Sequence, residues 1–283
     1  MLSDDFVDLR LGIATAHGKE NQIGPVFQDA FGVKICVPTT LPTDSLGTFS
    51  GDVDRIGSPV EVARKKIELA HSLLPEVPLW VASEGSFGPH PSIGFLPSDE
   101  EWLVFQDVRT NLEVVARVVS LSTNYRAEWI TSEETLESWA NEVLFPSHAL
   151  VLASSQTKPK RVVKGIQEEI RLRSVFLDFF HEFGGAWVMT DMRAMMNPTR
   201  QEVIREAAEV LIQKIASKCP SCQSPGYSIH HTSPGLPCSW CGLPTATTLE
   251  ATWLCTLCQY SHTQRFPQGR EVEDPGLCDY CNP

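Results

Sequence analysis

The chain has 283 residues, 42% of them hydrophobic and 20% charged, with 23 Lys plus Arg against 35 Asp plus Glu and a net charge of −12. This is ordinary globular composition at a length of one large or two ordinary domains, so a mostly disordered chain, a collagen-like fibre and a disulfide miniprotein are excluded. An acidic balance is repelled by phosphate backbones and anionic lipid, which argues against general nucleic-acid or membrane binding.

The N-terminus is acidic and lacks the basic and apolar regions of a signal peptide. No apolar run approaches the roughly 18 residues of a membrane span, and the expected location is the cytoplasm. Residues 9–16 read as a short strand ending at His17-Gly18, residues 19–31 as a helix and residues 32–37 as a second strand, with Cys36 a small core residue. Ser58-Pro59-Val60-Glu61 is a capping box with Pro at the first helical position. The stripe Val60, Ala63, Ile67, Ala70 and Leu74 then has helical spacing. Residues 78–82 are a buried-strand candidate bounded by Gly85 and Gly88, and residues 102–108 and 112–121 pair as a hairpin. A helix over 131–144, a strand over 149–153, a basic loop over 154–164 and a helix over 166–183 stopped by Gly184-Gly185 follow. The series closes with a strand over 186–190 and a helix over 198–218 capped by Asn197-Pro198. This alternation predicts an α/β domain over 1–218, a mixed sheet flanked by helices.

Residues 219–283 differ. They hold eight of the 20 prolines, show no helical period and carry eight of the nine cysteines as four Cys-x-x-Cys pairs: Cys219/Cys222, Cys238/Cys241, Cys255/Cys258 and Cys278/Cys281. In a reducing compartment such a set reads as metal ligands. Two closed Cys₄ sites for structural Zn²⁺ are expected, in a tandem zinc-ribbon-like tail. Three groupings are possible. Residues 245–254 contain no turn former and read as one extended strand, so the pairs at its two ends should not share an ion. Turn residues lie in both remaining intervals, 223–237 and 259–277, and hairpins there would favour consecutive grouping: the first two pairs around one ion, the last two around the other. His230, His231 and His262 are spare. From Cys219 on, two basic residues face five acidic ones, which argues against nucleic-acid binding and for a protein partner.

Polar segments follow three of the predicted strands: residues 17–20, 83–90 and 190–200. Ligands of α/β sheets bind at such strand ends. Lys19, Glu20, Arg55, Lys66, Lys164 and Arg193 are the candidates for holding a small phosphorylated ligand. Glu84 and Asp191 are the candidates for placing Mg²⁺ or activating water. Phosphate-ester hydrolysis is the concrete chemistry expected, and a non-enzymatic zinc-bearing adaptor is its rival.

The segments ATAHGKE at 14–20, LGTFSGDVDRIGSP at 46–59, ASEGSFGPHP at 82–91, TDMRAMMNPTR at 190–200 and the terminal CDYCNP resemble the bacterial domain of unknown function 6671 family, over nearly the whole chain. That family carries a His after Arg-Ala in the fourth of these segments; Met195 and Met196 stand there in this chain. The resemblance implies no assigned activity. Residues 10–90 are also similar in order to inosine-triphosphate pyrophosphatases. That likeness implies phosphate contact at Lys19, metal and phosphate contact along Glu61, Ala63 and Lys66 (with Val62 in place of an Asn), and a base at Glu84 before Gly85.

Overall fold

A computed structural model describes residues 5–15, 17–39, 41 and 57–282. Arg55 and the Gly-rich stretch over 43–55 lie outside the described residues. The chain divides into two compact units, Met1–Arg109 with Val115–Ile212, and Thr110–Val114 with Gln213–Pro283. Among the described residues no helix is long and apolar enough to cross a membrane.

The first unit is mixed α/β. Its larger sheet has the order β2-β1-β3-β4-β5, built from β1 (Arg10–Ala14), β2 (Lys34–Cys36), β3 (Leu79–Pro89), β4 (Pro97–Asp107) and β5 (Leu112–Ser120, of which residues 115–120 fall in this unit). Strand β1 runs parallel to both β2 and β3. Parallel neighbours need a crossover, which α1 (Glu20–Phe31) and α2 (Pro59–Leu73) supply. Phe31 of α1 meets Phe6 edge-on and Phe27 lies beside Phe31, while Phe27 stacks on Phe105 of β4 with centroids 6.2 Å apart. Ala63, Ile67 and Ala70 of α2 pack on Trp80, Ala82 and Val104 on the opposite face. Trp80 lies flat across Gly12, where any Cβ would overlap its ring. The Ser58 capping box forms as expected, and it engages the Glu61 carboxylate at the Ser58 backbone N–H, 2.7 Å away.

The strand expected to stop at residue 82 runs on to Pro89. Antiparallel β4 pairs with it throughout, from Leu79↔Asp107 to Pro89↔Pro97, and carries the backbone through both glycines. Strand β1 ends at Ala14, opposite Ala82. Beyond that point the β3–β4 pair projects past the end of its parallel neighbour.

A second, antiparallel sheet has the order β6-β9-β7-β8, from β6 (Ala127–Ile130), β7 (Leu150–Ala153), β8 (Val162–Ile166) and β9 (Ala186–Thr190). Helices α3 (Glu133–Glu142) and α4 (Glu169–Phe183) bury Leu136, Trp139, Phe176 and Phe179 against Leu150, Leu152 and Val188. The expected basic loop is shorter than residues 154–164, because Val162–Ile166 pairs with β7. Gly184 ends α4 in the left-handed conformation, φ 76°.

Helix α5 (Pro198–Ala216) starts on a dense set of caps. Asn197 Oδ1 accepts from the Arg200 N–H at 3.0 Å, while its Nδ2 donates to Asn124 Oδ1 at 2.8 Å. Buried His148 adds a second cap: its Nε2 accepts from the Thr199 N–H at 3.2 Å. That nitrogen must be unprotonated to accept, and burial holds His148 below its ordinary range. The unfolded chain takes up this proton first as pH falls, so stability is expected to drop below about pH 6.5 and to level once the folded imidazole also protonates. Urea unfolding at pH 7.5 and 5.5 checks this. His148→Gln, which keeps an acceptor without a charge, should lose less on acidification than the wild type.

The second unit is a three-stranded antiparallel sheet, β10-β11-β12, made of β10 (Ser228–Pro234), β11 (Thr248–Leu254) and β12 (Ser261–Arg265). Residues 226 and 227 donate to the carbonyls of Ile215 and Ser217, at 3.1 and 3.0 Å.

Candidate functional site

The cysteine turns repeat one local design. The N–H groups of Cys219, Cys238 and Cys255 donate to the carbonyls of Ser224, Leu243 and Tyr260, at 2.9, 2.8 and 2.9 Å. Their own carbonyls accept from Gln223, Gly242 and Gln259, at 2.9 Å in each case. Those three residues are left-handed, with φ of 60°, 71° and 62°. The reversal points both sulfurs of a pair to one side.

Two tetrads result: Cys219, Cys222, Cys255 and Cys258, and Cys238, Cys241, Cys278 and Cys281. Sulfur–sulfur distances are 3.7 Å for Cys219–Cys258, Cys222–Cys255 and Cys241–Cys278, and 3.8 Å for Cys238–Cys281. Four thiolates about 2.3 Å from a tetrahedral ion stand about 3.8 Å apart, so each tetrad could hold one ion. The expected consecutive grouping is corrected: first pairs with third and second with fourth. Residues 223–237 and 259–277 do not fold back as hairpins of their own. Strand β10 instead pairs with β11, Ser228 opposite Leu254, and returns the third pair to the first. Strand β12 pairs with β11 in turn, and the chain comes back to the second pair, where Glu273 bridges Cys238. The inference that β11 keeps the second and third pairs apart agrees with this arrangement. His230, His231 and His262 are exposed and stand in neither tetrad.

In the first unit, charged side chains collect where β3 and β4 outrun β1. Lys19, just before α1, is buried; its Nζ donates to Ser83 Oγ at 2.9 Å and lies 3.7 Å from Glu101 Oε2. Burial lowers the Lys19 ammonium to about 8, opposed by Glu101. Arg200, the third helical residue of α5, places Nε 2.7 Å from Glu101 Oε1, donates to the Met192 carbonyl and lies 4.8 Å over the Phe87 ring. Gly85 stands opposite Glu101, and a Cβ there would overlap the Arg200 guanidinium. Lys66 of α2 pairs with Glu84 and reaches the Ser83 carbonyl at 3.3 Å. Asp99 is wholly buried; burial first, then Glu101, push its carboxyl up to about 7. Shifts of this kind concentrate at functional sites.

Of the residues singled out from sequence, Lys19, Lys66 and Glu84 come together here. Asp191 and Arg193 engage each other instead: Arg193 Nη2 lies 2.6 Å from Asp191 Oδ2, and Oδ2 also accepts from the Gly165 N–H at 3.1 Å. Lys164 sits half-buried on β8, beside Gly165. Glu20 opens α1, with Oε2 buried and no hydrogen-bond partner among the described residues. Sequence reasoning missed Asp99, Glu101 and Arg200. The available signal was a run of acids, Asp99-Glu100-Glu101, inside a β-rich segment.

The sequence profile of the domain of unknown function family DUF6671 matches residues 67–283, more than half of the chain. The chain belongs to this family. The DUF6671 match takes in β3, β4, the start of α5 and all eight paired cysteines. No curated protein matches the chain.

Proposed function

We propose that this DUF6671 protein binds phosphate esters in its first unit and hydrolyses nucleoside phosphates with Mg²⁺, while a Zn²⁺ in each tetrad holds the second unit in shape. The observation that carries this reading is the convergence of Lys19, Lys66 and Arg200, from three separate helices or their starts, on Ser83, Glu84 and Glu101. Each cation rests on a carboxylate or hydroxyl that a phosphate oxygen can replace as acceptor. Bound Mg²⁺ would polarise the phosphoryl group. Glu84, beside Lys66, is assigned to orient the attacking water. The Asp191–Arg193 pair is assigned to fixing the segment that leads into α5. The likeness of residues 10–90 to inosine-triphosphate pyrophosphatases supports the same chemistry. Closed Cys₄ sites leave no ligand position for substrate, so zinc is structural here, and reduced thiols suit the cytoplasm.

The test is a panel of nucleoside tri- and diphosphates with Mg²⁺ or Mn²⁺. At least one should be turned over, with Lys19→Met at least 100-fold lower in kcat/KM. Neither turnover nor thermal stabilisation by any member overturns the reading.

One observation favours a second reading, a protein-docking adaptor. Trp240 and Tyr280, in the two turns of the second tetrad, are 79% and 75% exposed. A displayed peptide library selected on the zinc-loaded chain should then yield binders that Trp240→Ala loses; binders indifferent to Trp240→Ala and Tyr280→Ala remove it.

A further inference from the structure

Asp99 and Glu101 are two residues apart on β4 and therefore share one face, opposite Phe87 and Gly85 of β3. Neither side chain has any exposure. Arg200 holds Glu101 Oε1 at 2.7 Å. Asp99 Oδ1, Asp99 Oδ2 and Glu101 Oε2 have no hydrogen-bond partner among the described residues. Buried polar atoms are nearly always satisfied, because leaving them bare forfeits their hydration with nothing in return. The two Asp99 oxygens are bare and Glu101 Oε2 has only the Lys19 ammonium at 3.7 Å; on two side chains aimed the same way, they are the ligand type that hard divalent ions take. Mg²⁺ and Mn²⁺ use one or two carboxylates and complete their shell with water and phosphate oxygens.

Charge decides what must accompany the ion. Lys19 and Arg200 both pair with Glu101 and act at longer range on Asp99, so two cations match these two carboxylates, and Lys66 pairs with Glu84. A divalent ion arriving alone adds two uncompensated positive charges to a buried site. An ion arriving with a phosphate ester adds little. We infer that Asp99 and Glu101 form a divalent-cation site of the Mg²⁺/Mn²⁺ class, filled together with a phosphate group. This rests on the reading above and places its metal on β4, leaving Glu84 to the water.

The experiment is a Mn²⁺ titration of the zinc-loaded full chain, followed by electron paramagnetic resonance of free Mn²⁺, with and without inorganic phosphate. One Mn²⁺ per chain is expected, bound at least tenfold tighter with phosphate present. Asp99→Asn should weaken it at least tenfold, whereas Glu100→Gln, on the opposite face, should not. In the wild type, bound Mn²⁺ should broaden the Gly85 and Phe87 amide resonances first, a readout that stands even if Asp99→Asn does not fold. No binding at millimolar Mn²⁺ with phosphate, or affinity unchanged in Asp99→Asn, overturns the site. Mn²⁺ binding lost in Asp99→Asn, without turnover of any nucleotide, removes the hydrolase reading and leaves this one. Turnover whose metal dependence ignores Asp99→Asn does the reverse.

Discussion

Chelating the metal should unfold residues 219–282 while the sheets of the first unit persist. Apart from cysteines, the buried apolar side chains on residues 219–282 are Leu236 and Ala251. At about 1.5–3 kcal/mol for each fully buried side chain, they cannot offset the conformational entropy of ordering such a segment. A structural Zn²⁺ contributes roughly 10–16 kcal/mol to a small domain, so metal and fold should be lost together. Hydrogen exchange should show protection vanishing from β10–β12 on chelation and returning with Zn²⁺. The interleaved grouping makes a sharper prediction. Cys222 and Cys258 are exposed members of the same tetrad. The double variant Cys222→Ser/Cys258→Ser should therefore retain one equivalent of zinc in the other tetrad. Consecutive grouping would have damaged both sites and left none, so metal analysis of that one variant separates the two.

Replacing Arg200 by Met should cost about 3–5 kcal/mol of stability, the range for breaking a buried ion pair from one side. Arg200 and Glu101 have side-chain exposures of 7% and 0%. Without the guanidinium, Glu101 keeps only Lys19 at 3.7 Å and has Asp99 beside it. The Met192 carbonyl also loses its donor. Adding Glu101→Gln should recover part of the loss, since the double variant buries no unpaired charge at this position. Denaturant titration of wild type, both single variants and the double variant gives the coupling directly. Strict additivity would mean that the pair is not coupled.

The elements most legible in the sequence are those whose ends carry their own chemistry. The Ser58 box, the Asn197-Pro198 start and the Gly184 stop place α2, α5 and the end of α4 without reference to the rest of the fold. Strand limits set by a partner were not legible. Gly85 and Gly88 look like a boundary, yet β4 supplies hydrogen bonds through both. Gly85 is there because the Arg200 guanidinium occupies the space of its side chain. Asp99 and Glu101 carry no local signal of burial, because acids in a strand normally face water. Their burial depends on Arg200, about a hundred residues away in sequence, with the pair itself at 2.7 Å. The paired cysteines were legible as metal ligands from spacing alone. Their grouping was not, because it depends on the Ser228↔Leu254 register, which no local motif announces.

The alternating tetrads also fix a timetable. A nascent chain cannot close its first clamp until Cys258 has left the ribosome, nor its second until Cys281 has. If each tetrad takes the Zn²⁺ proposed for it, each ion can be captured only after the first thiols of its tetrad have waited uncovered through the synthesis of dozens of residues. Zinc scarcity would accordingly strike this protein at birth, as a maturation defect, before it had any metal to lose.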